Sequence, residues 1–127
     1  MHGTDPGPMK NRRFAERLGF ALTGIRVVFA RESSFRSQCA LALAAVLVTL
    51  ALRPGPVWSA LVVLSIALVL SLELANSALE YLLDHLHPDR APAIGTAKDA
   101  AAGAVLVAGL AAAAVGALML LATLGRF

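Results

Sequence analysis

Glu73, Asn76, Glu80 and Asp84 stand at i, i+3, i+7 and i+11 within SLELANSALEYLLDHLHPD (71–89). On a helix, at about 100° per residue, all four share one face, and Ser77 joins the stripe. The stretch directly follows an apolar run of membrane length. A carboxylate inside hydrocarbon costs on the order of several kcal/mol unless it is neutral or partnered, and such residues usually face a bundle interior and serve a site or a pathway. Counted from Trp58, an aromatic placed where a span meets the interface, Glu73 lies roughly 22 Å along a helix axis and Glu80 roughly 33 Å. With a hydrocarbon core of about 30 Å, Glu73 is still inside near one boundary, and Glu80 has reached the headgroups. Asp84 reads as a helix end emerging into water.

Two more acidic positions belong to the same membrane boundary. Glu32 lies in RESSFR (31–36), and Asp99 follows Lys98 in AKD (97–99). Glu32, Glu73, Glu80 and Asp99 are therefore expected to gather there with Arg31, Arg36 and Lys98. Carboxylates with cations suit Mg²⁺ and phosphate, since Mg²⁺ takes few protein carboxylates plus phosphate oxygens, and Lys or Arg neutralises phosphate charge. A glutamate held out of bulk water at the lipid surface is suited to general-base work. A zinc site from Asp84, His85 and His87 is a weaker reading, because a single H-x-H before a proline is a poor signal. The chain has no G-x-x-x-x-G-K-[ST], G-x-G-x-x-G or G-x-S-x-G, so a phosphotransferase here would lack the usual nucleotide folds.

The elements that must carry these residues follow from composition. The chain has 127 residues, 58% hydrophobic and 15% charged. A soluble protein of this length could not cover so much apolar surface, which implies one integral membrane domain of all-α class. Cys39 is the single cysteine, so no internal disulfide is available, and it reads as a small buried hydrophobe. No signal peptide is expected, since MHGTDPGPMKNRR lacks an apolar segment before its basic cluster. Residues 1–11 read as a disordered tail. From 12 to 31, Phe14, Leu18, Leu22, Ile25 and Phe29 recur at helical spacing, with Arg13, Glu16, Arg17 and Thr23 off the stripe. This predicts a basic amphipathic surface helix lying in the membrane interface. Spans are expected at about 34–52, 57–84 and 96–124. RPGP (53–56) is the turn between the first two, and the polar 85–95 segment is the loop between the last two. In the third span, Gly103, Gly109 and Gly116 either allow close helix approach or reflect ordinary membrane composition. Three spans put the N-terminus and the 85–95 loop on one side. That side holds Lys10, Arg12, Arg13, Arg17, Arg26, Arg31, Arg36, Arg90 and Lys98, against Arg53 and Arg126 on the other. The positive-inside rule makes it cytoplasmic.

RESSFRSQ, ELANSALEYLLD and AKDAAAGAVL resemble the signatures of the prokaryotic diacylglycerol kinase family, small three-span lipid kinases that include undecaprenol kinases. The resemblance covers about 12–124. It implies an ATP- and Mg²⁺-dependent lipid kinase of the bacterial cytoplasmic (inner) membrane. In that frame Glu73 corresponds to the general base on the lipid hydroxyl. Glu80 and Glu32 correspond to the carboxylates that hold metal with ATP. Asn76 matches the family's site asparagine, Lys98 and Asp99 match the pair at the nucleotide phosphates, and Arg13 matches a basic position near the nucleotide. Phe35 and Arg36 match the F-R at the lipid entrance. The resemblance also implies a homotrimer with shared sites, in which Glu32 and Glu80 come from a different chain than Glu73. Gln38 stands where an acidic residue is often found, and Phe20 where an aromatic hydroxyl can contact nucleotide. AAAGAVL replaces a Gly-Ser-Ala-Ala pattern, and HPDRAPAIG is closer to the undecaprenol-kinase-like branch. These departures bear on which lipid alcohol is used.

The leading expectation is phosphorylation of the primary hydroxyl of diacylglycerol to phosphatidic acid at the cytoplasmic interface, with undecaprenol as the alternative substrate. A non-enzymatic ion- or proton-conducting bundle is the competing class. It would need polar groups across a whole span, whereas 57–70 offers only Ser59 and Ser65. Lipid phosphate hydrolysis is disfavoured, because no Ser-His-Asp constellation is evident.

Overall fold

The structure, a computed structural model, describes residues 13–89 and 91–125. The tail expected at 1–11 lies outside the described residues, as does Arg12, the first residue of the expected surface helix. Four helices follow in order: α1 (Phe14–Arg31), α2 (Ser33–Leu52), α3 (Pro56–Leu86) and α4 (Pro92–Leu124). The last three are each long and apolar enough to cross a membrane. The described chain contains no strand. It is an all-α membrane protein, with a shorter amphipathic helix ahead of three spans.

Each boundary has a local cause. A single extended residue, Glu32 (φ −108°, ψ 110°), separates α1 from α2. Its amide still donates to Val28 O at 2.8 Å, so the two helices abut across one elbow. The Arg36 guanidinium donates to Phe29 O (2.7 Å) and Ala30 O (3.0 Å), satisfying carbonyls that the end of α1 leaves unpaired. Arg53 (φ 50°) and Gly55 (φ 100°) turn the chain into α3, which starts on Pro56. Proline suits that first helical position, because its missing N–H would have no intrahelical partner there. Pro92 opens α4 in the same way. The loop between α3 and α4 is therefore shorter than the 85–95 segment. α3 runs on through His85 to Leu86, and α4 starts four residues ahead of Thr96.

α3 is the central element and packs most extensively on α4, then on α2. Its buried residues are Val62, Val69, Glu73 and Ser77, at intervals of seven, four and four. The face that packs apolar side chains in its first half therefore carries the buried carboxylate in its second. Val28, Phe35, Ala108 and Met119 complete the buried set among the described residues. On α1, the stripe of Phe14, Leu18, Leu22, Ile25 and Phe29 stays exposed, as an interface-lying helix requires. No heavy atom lies within 4 Å of a Cβ built on Gly103, Gly109 or Gly116, so these glycines create no close helix approach within the chain. Cys39 is half-buried rather than fully enclosed.

A Cβ at Gly55 would meet no atom within 4 Å, so its constraint is purely conformational. Gly55→Ala is expected to cost about 1–3 kcal/mol through its positive φ, read as a lowered thermal denaturation midpoint in detergent. Gly103→Ala, inside a helix with open space around it, should leave that midpoint unchanged or raise it.

Candidate active site

The chemistry collects at one end of the helices, where the α1–α2 elbow, the last turns of α3 and the first turns of α4 meet. Glu73 is 5% exposed and Ser77 3%, both on the packed face of α3. A buried carboxylate requires compensating partners. Gln38 of α2 lies close enough to act on the Glu73 carboxylate, as do the charges of Glu80 and Glu32. One helical turn on, Asn76 Nδ2 donates to Glu80 Oε1 at 3.3 Å and so orients it. Asn76 Oδ1 is buried without a partner. An orphaned acceptor is uncommon in a folded interior, and here it lies beside two carboxylates on the same face.

Glu32 reaches α3 from the elbow. The Tyr81 hydroxyl donates to Glu32 Oε1 at 2.9 Å. The Arg31 guanidinium stands 5.6 Å from the centre of the Tyr81 ring, within cation–π range. At the tip of α3, Asp84 pairs with Lys98 of α4. The two line an open cleft of about 480 Å³ with His87, Ile94, Gly95 and Asp99. An apolar crevice of about 280 Å³ opens between α2, α3 and α4, lined among others by Gln38, Ala45, Ser65, Val69 and Gly109.

Of the residues singled out from sequence, Glu32, Glu73, Asn76 and Glu80 come together on or against α3, and Lys98 and Asp99 share the neighbouring cleft. Phe35 and Arg36 sit apart in role. Phe35 is buried, edge-on to Phe29 at 6.4 Å between ring centres, and Arg36 is turned onto the α1 carbonyls. Arg13 precedes α1 and stands roughly 28 Å along its axis from Glu32. Asp84 is not simply a helix end in water, because it holds Lys98. Tyr81 escaped the sequence reading because it falls about 100° off the carboxylate stripe. Asp84 and Lys98 did carry a signal, as opposite charges flanking a short inter-helix turn. Among the described residues no three His, Cys, Asp or Glu side chains form a metal-holding group, neither Asp84, His85 and His87 nor Glu32, Glu73 and Glu80, so a metal here would have at most two protein carboxylates. In the first half of α3, the Ser59 and Ser65 hydroxyls donate to Gly55 O and Leu61 O of their own helix, so they offer no polar path across the span.

The Asp84–Lys98 pair is partly solvent-screened, with Asp84 63% exposed. Asp84→Asn should therefore cost about 1 kcal/mol or less, read as a shift of only a few degrees in the thermal midpoint. A larger loss would mean that this pair holds α3 and α4 together.

Comparison with known proteins gives the family. The family model for prokaryotic diacylglycerol kinase matches residues 19–120, which include every candidate residue except Arg13. The chain is 34% identical over 89 residues to a diacylglycerol kinase of Haemophilus influenzae, covering 70% of this chain and 75% of that one. It is 30% identical over 96 residues to a diacylglycerol kinase of Escherichia coli, covering 76% of this chain and 79% of that one, and the same holds for one of Shigella flexneri. Matched along most of its length and built as three spans with their carboxylates at one end, the chain belongs to the prokaryotic diacylglycerol kinase family and is a lipid kinase of that type.

Proposed function

We propose that this kinase uses ATP and Mg²⁺ to phosphorylate the primary hydroxyl of diacylglycerol, giving phosphatidic acid, at the cytoplasmic face of the bacterial inner membrane. One observation carries the reading: a 95%-buried position on α3 holds Glu73, while Glu80 stands two turns further out on the same helix, next to the Tyr81 that bonds Glu32. That spacing suits a base at lipid depth and a phosphate site at headgroup depth. The basic N-terminal segment supports the cytoplasmic orientation.

Glu73 takes the proton of the lipid hydroxyl as the oxygen forms its bond to the γ-phosphorus. The bond from that phosphorus to the β-phosphate oxygen breaks, and ADP leaves. Phosphoryl transfer depends mainly on positioning and electrostatics, which the surrounding residues can supply. Gln38 orients Glu73. The donor set fits a hard divalent ion: two carboxylates, Glu32 and Glu80, with the unpartnered Asn76 Oδ1 alongside. When bound, Mg²⁺ neutralises charge on the phosphate oxygens. Lys98 and Asp99 border the polar cleft at the α3–α4 turn, a position suited to nucleotide phosphates and their counter-charge. The crevice below Gln38 could receive part of an alkyl tail. Phe35 and Arg36 would act on the lipid by shaping the elbow at its boundary, and Arg13 would meet nucleotide only by reaching across from the far end of α1. Much of the apolar surface of α2–α4 stays exposed in the single chain, which suits both lipid and a homotrimer with shared sites.

Undecaprenol is the second reading, favoured by the HPDRAPAIG loop. Purified protein given ATP and Mg²⁺ should phosphorylate diacylglycerol faster than undecaprenol when both are assayed in the same detergent, and the reverse ratio would select the second substrate. Glu73→Gln and Glu80→Gln should each lower kcat at least about 100-fold while leaving the oligomer intact. Full activity in both would remove the mechanism. Chelation of divalent ions should abolish turnover reversibly.

A further inference from the structure

Tyr81 has no part in the mechanism above, yet its hydroxyl makes a side-chain hydrogen bond to the Glu32 carboxylate from 49 residues away in the chain. Glu32 sits in extended conformation at a single-residue break between two helices, and its side chain does not cap the helix that follows. A glutamate there would sample many rotamers, and ordering it would count against ligand binding. Three contacts prevent this. The Tyr81 hydroxyl donates to Glu32 Oε1 at 2.9 Å. Arg31, the residue before Glu32, lies 5.6 Å from the centre of the Tyr81 ring and holds the ring from its face. Arg36 ties the elbow backbone to the end of α1. Tyr81 in turn follows Glu80 directly on a rigid helix, so its hydroxyl couples Glu32 to the element that carries the other carboxylate. A tyrosine hydroxyl bonded to one carboxylate oxygen leaves the second oxygen available.

We infer that Tyr81 is a positioning residue, whose hydroxyl fixes Glu32 beside Glu80 and pre-organises that carboxylate pair for a divalent cation. The inference rests on the assignment of Glu32 and Glu80 to the metal–nucleotide site. Tyr81 touches neither metal nor substrate. It lowers the ordering cost of Glu32, so its loss acts on metal affinity rather than on the chemical step.

Mn²⁺ serves as the probe, with the full-length chain in detergent and a non-hydrolysable ATP analogue, and free Mn²⁺ is followed by electron paramagnetic resonance. Tyr81→Phe keeps the ring, its packing and its contact with Arg31, and removes only the hydroxyl. It should weaken Mn²⁺ binding about ten-fold and raise the half-saturating Mg²⁺ concentration for turnover by a similar factor, with kcat at saturating Mg²⁺ changed less than about two-fold. Glu32→Gln should weaken Mn²⁺ binding more strongly, and adding Tyr81→Phe to it should have no further effect. Unchanged Mn²⁺ affinity in Tyr81→Phe, or full additivity in the double variant, overturns the role of Tyr81 while leaving the carboxylate assignment standing. Undiminished Mn²⁺ binding in Glu32→Gln overturns the assignment itself, and the inference with it.

Discussion

The structure is organised around one constraint: the carboxyl group of Glu73 lies buried on the packed face of an apolar span, towards the end where the polar side chains gather. A charge at that depth is tolerated only where helices pack around it and supply polar neighbours. α3 meets the constraint by length. At 31 residues it exceeds the ~20 needed to cross hydrocarbon, so one uninterrupted helix joins the lipid interior to the headgroup layer. Its packed face needs no change of direction along the way. Val62 and Val69 hold it against its neighbours in the apolar half, and Glu73 and Ser77 continue the same face as the boundary approaches.

The neighbouring helices follow from this placement. α2 brings Gln38 to Glu73, and the elbow before α2 brings Glu32 to Tyr81. α4 brings Lys98 to Asp84 at the tip of α3. Polar contacts between elements are thus concentrated at one end. Elsewhere the spans meet through apolar packing, apart from the Thr49 hydroxyl 3.9 Å from the Met119 sulfur. In lipid the apolar surface of the spans gains little from association, so specific polar contacts carry more of the work of fixing register. The candidate site residues thus lie among the polar contacts that join these helices.

The elbow shows how local and tertiary forces combine. The helix break at Glu32 leaves α1 carbonyls unsatisfied, and Arg36 donates to them. Phe35 is buried against Phe29 across the same corner. The F-R pair thus braces the corner between α1 and α2.

The sequence by itself determined the helices, their order and the face of α3 that carries Glu73, Asn76 and Glu80. It could do so because hydropathy and a 3.6-residue period are properties of the chain alone, and because proline and glycine set turns locally. The same information placed Glu32 and Lys98 at the same boundary. Only the tertiary structure decided what touches what there. Tyr81 lies off the carboxylate stripe and gains its role from an elbow 49 residues earlier in the chain. Asp84 looks solvated until α4 presents Lys98, and the glycines of α4 look like close-contact positions until its neighbours are seen to lie elsewhere. Such pairings depend on the rotation and register of packed helices. These are fixed by side-chain fit between elements distant in sequence, and periodicity along one helix carries no record of it.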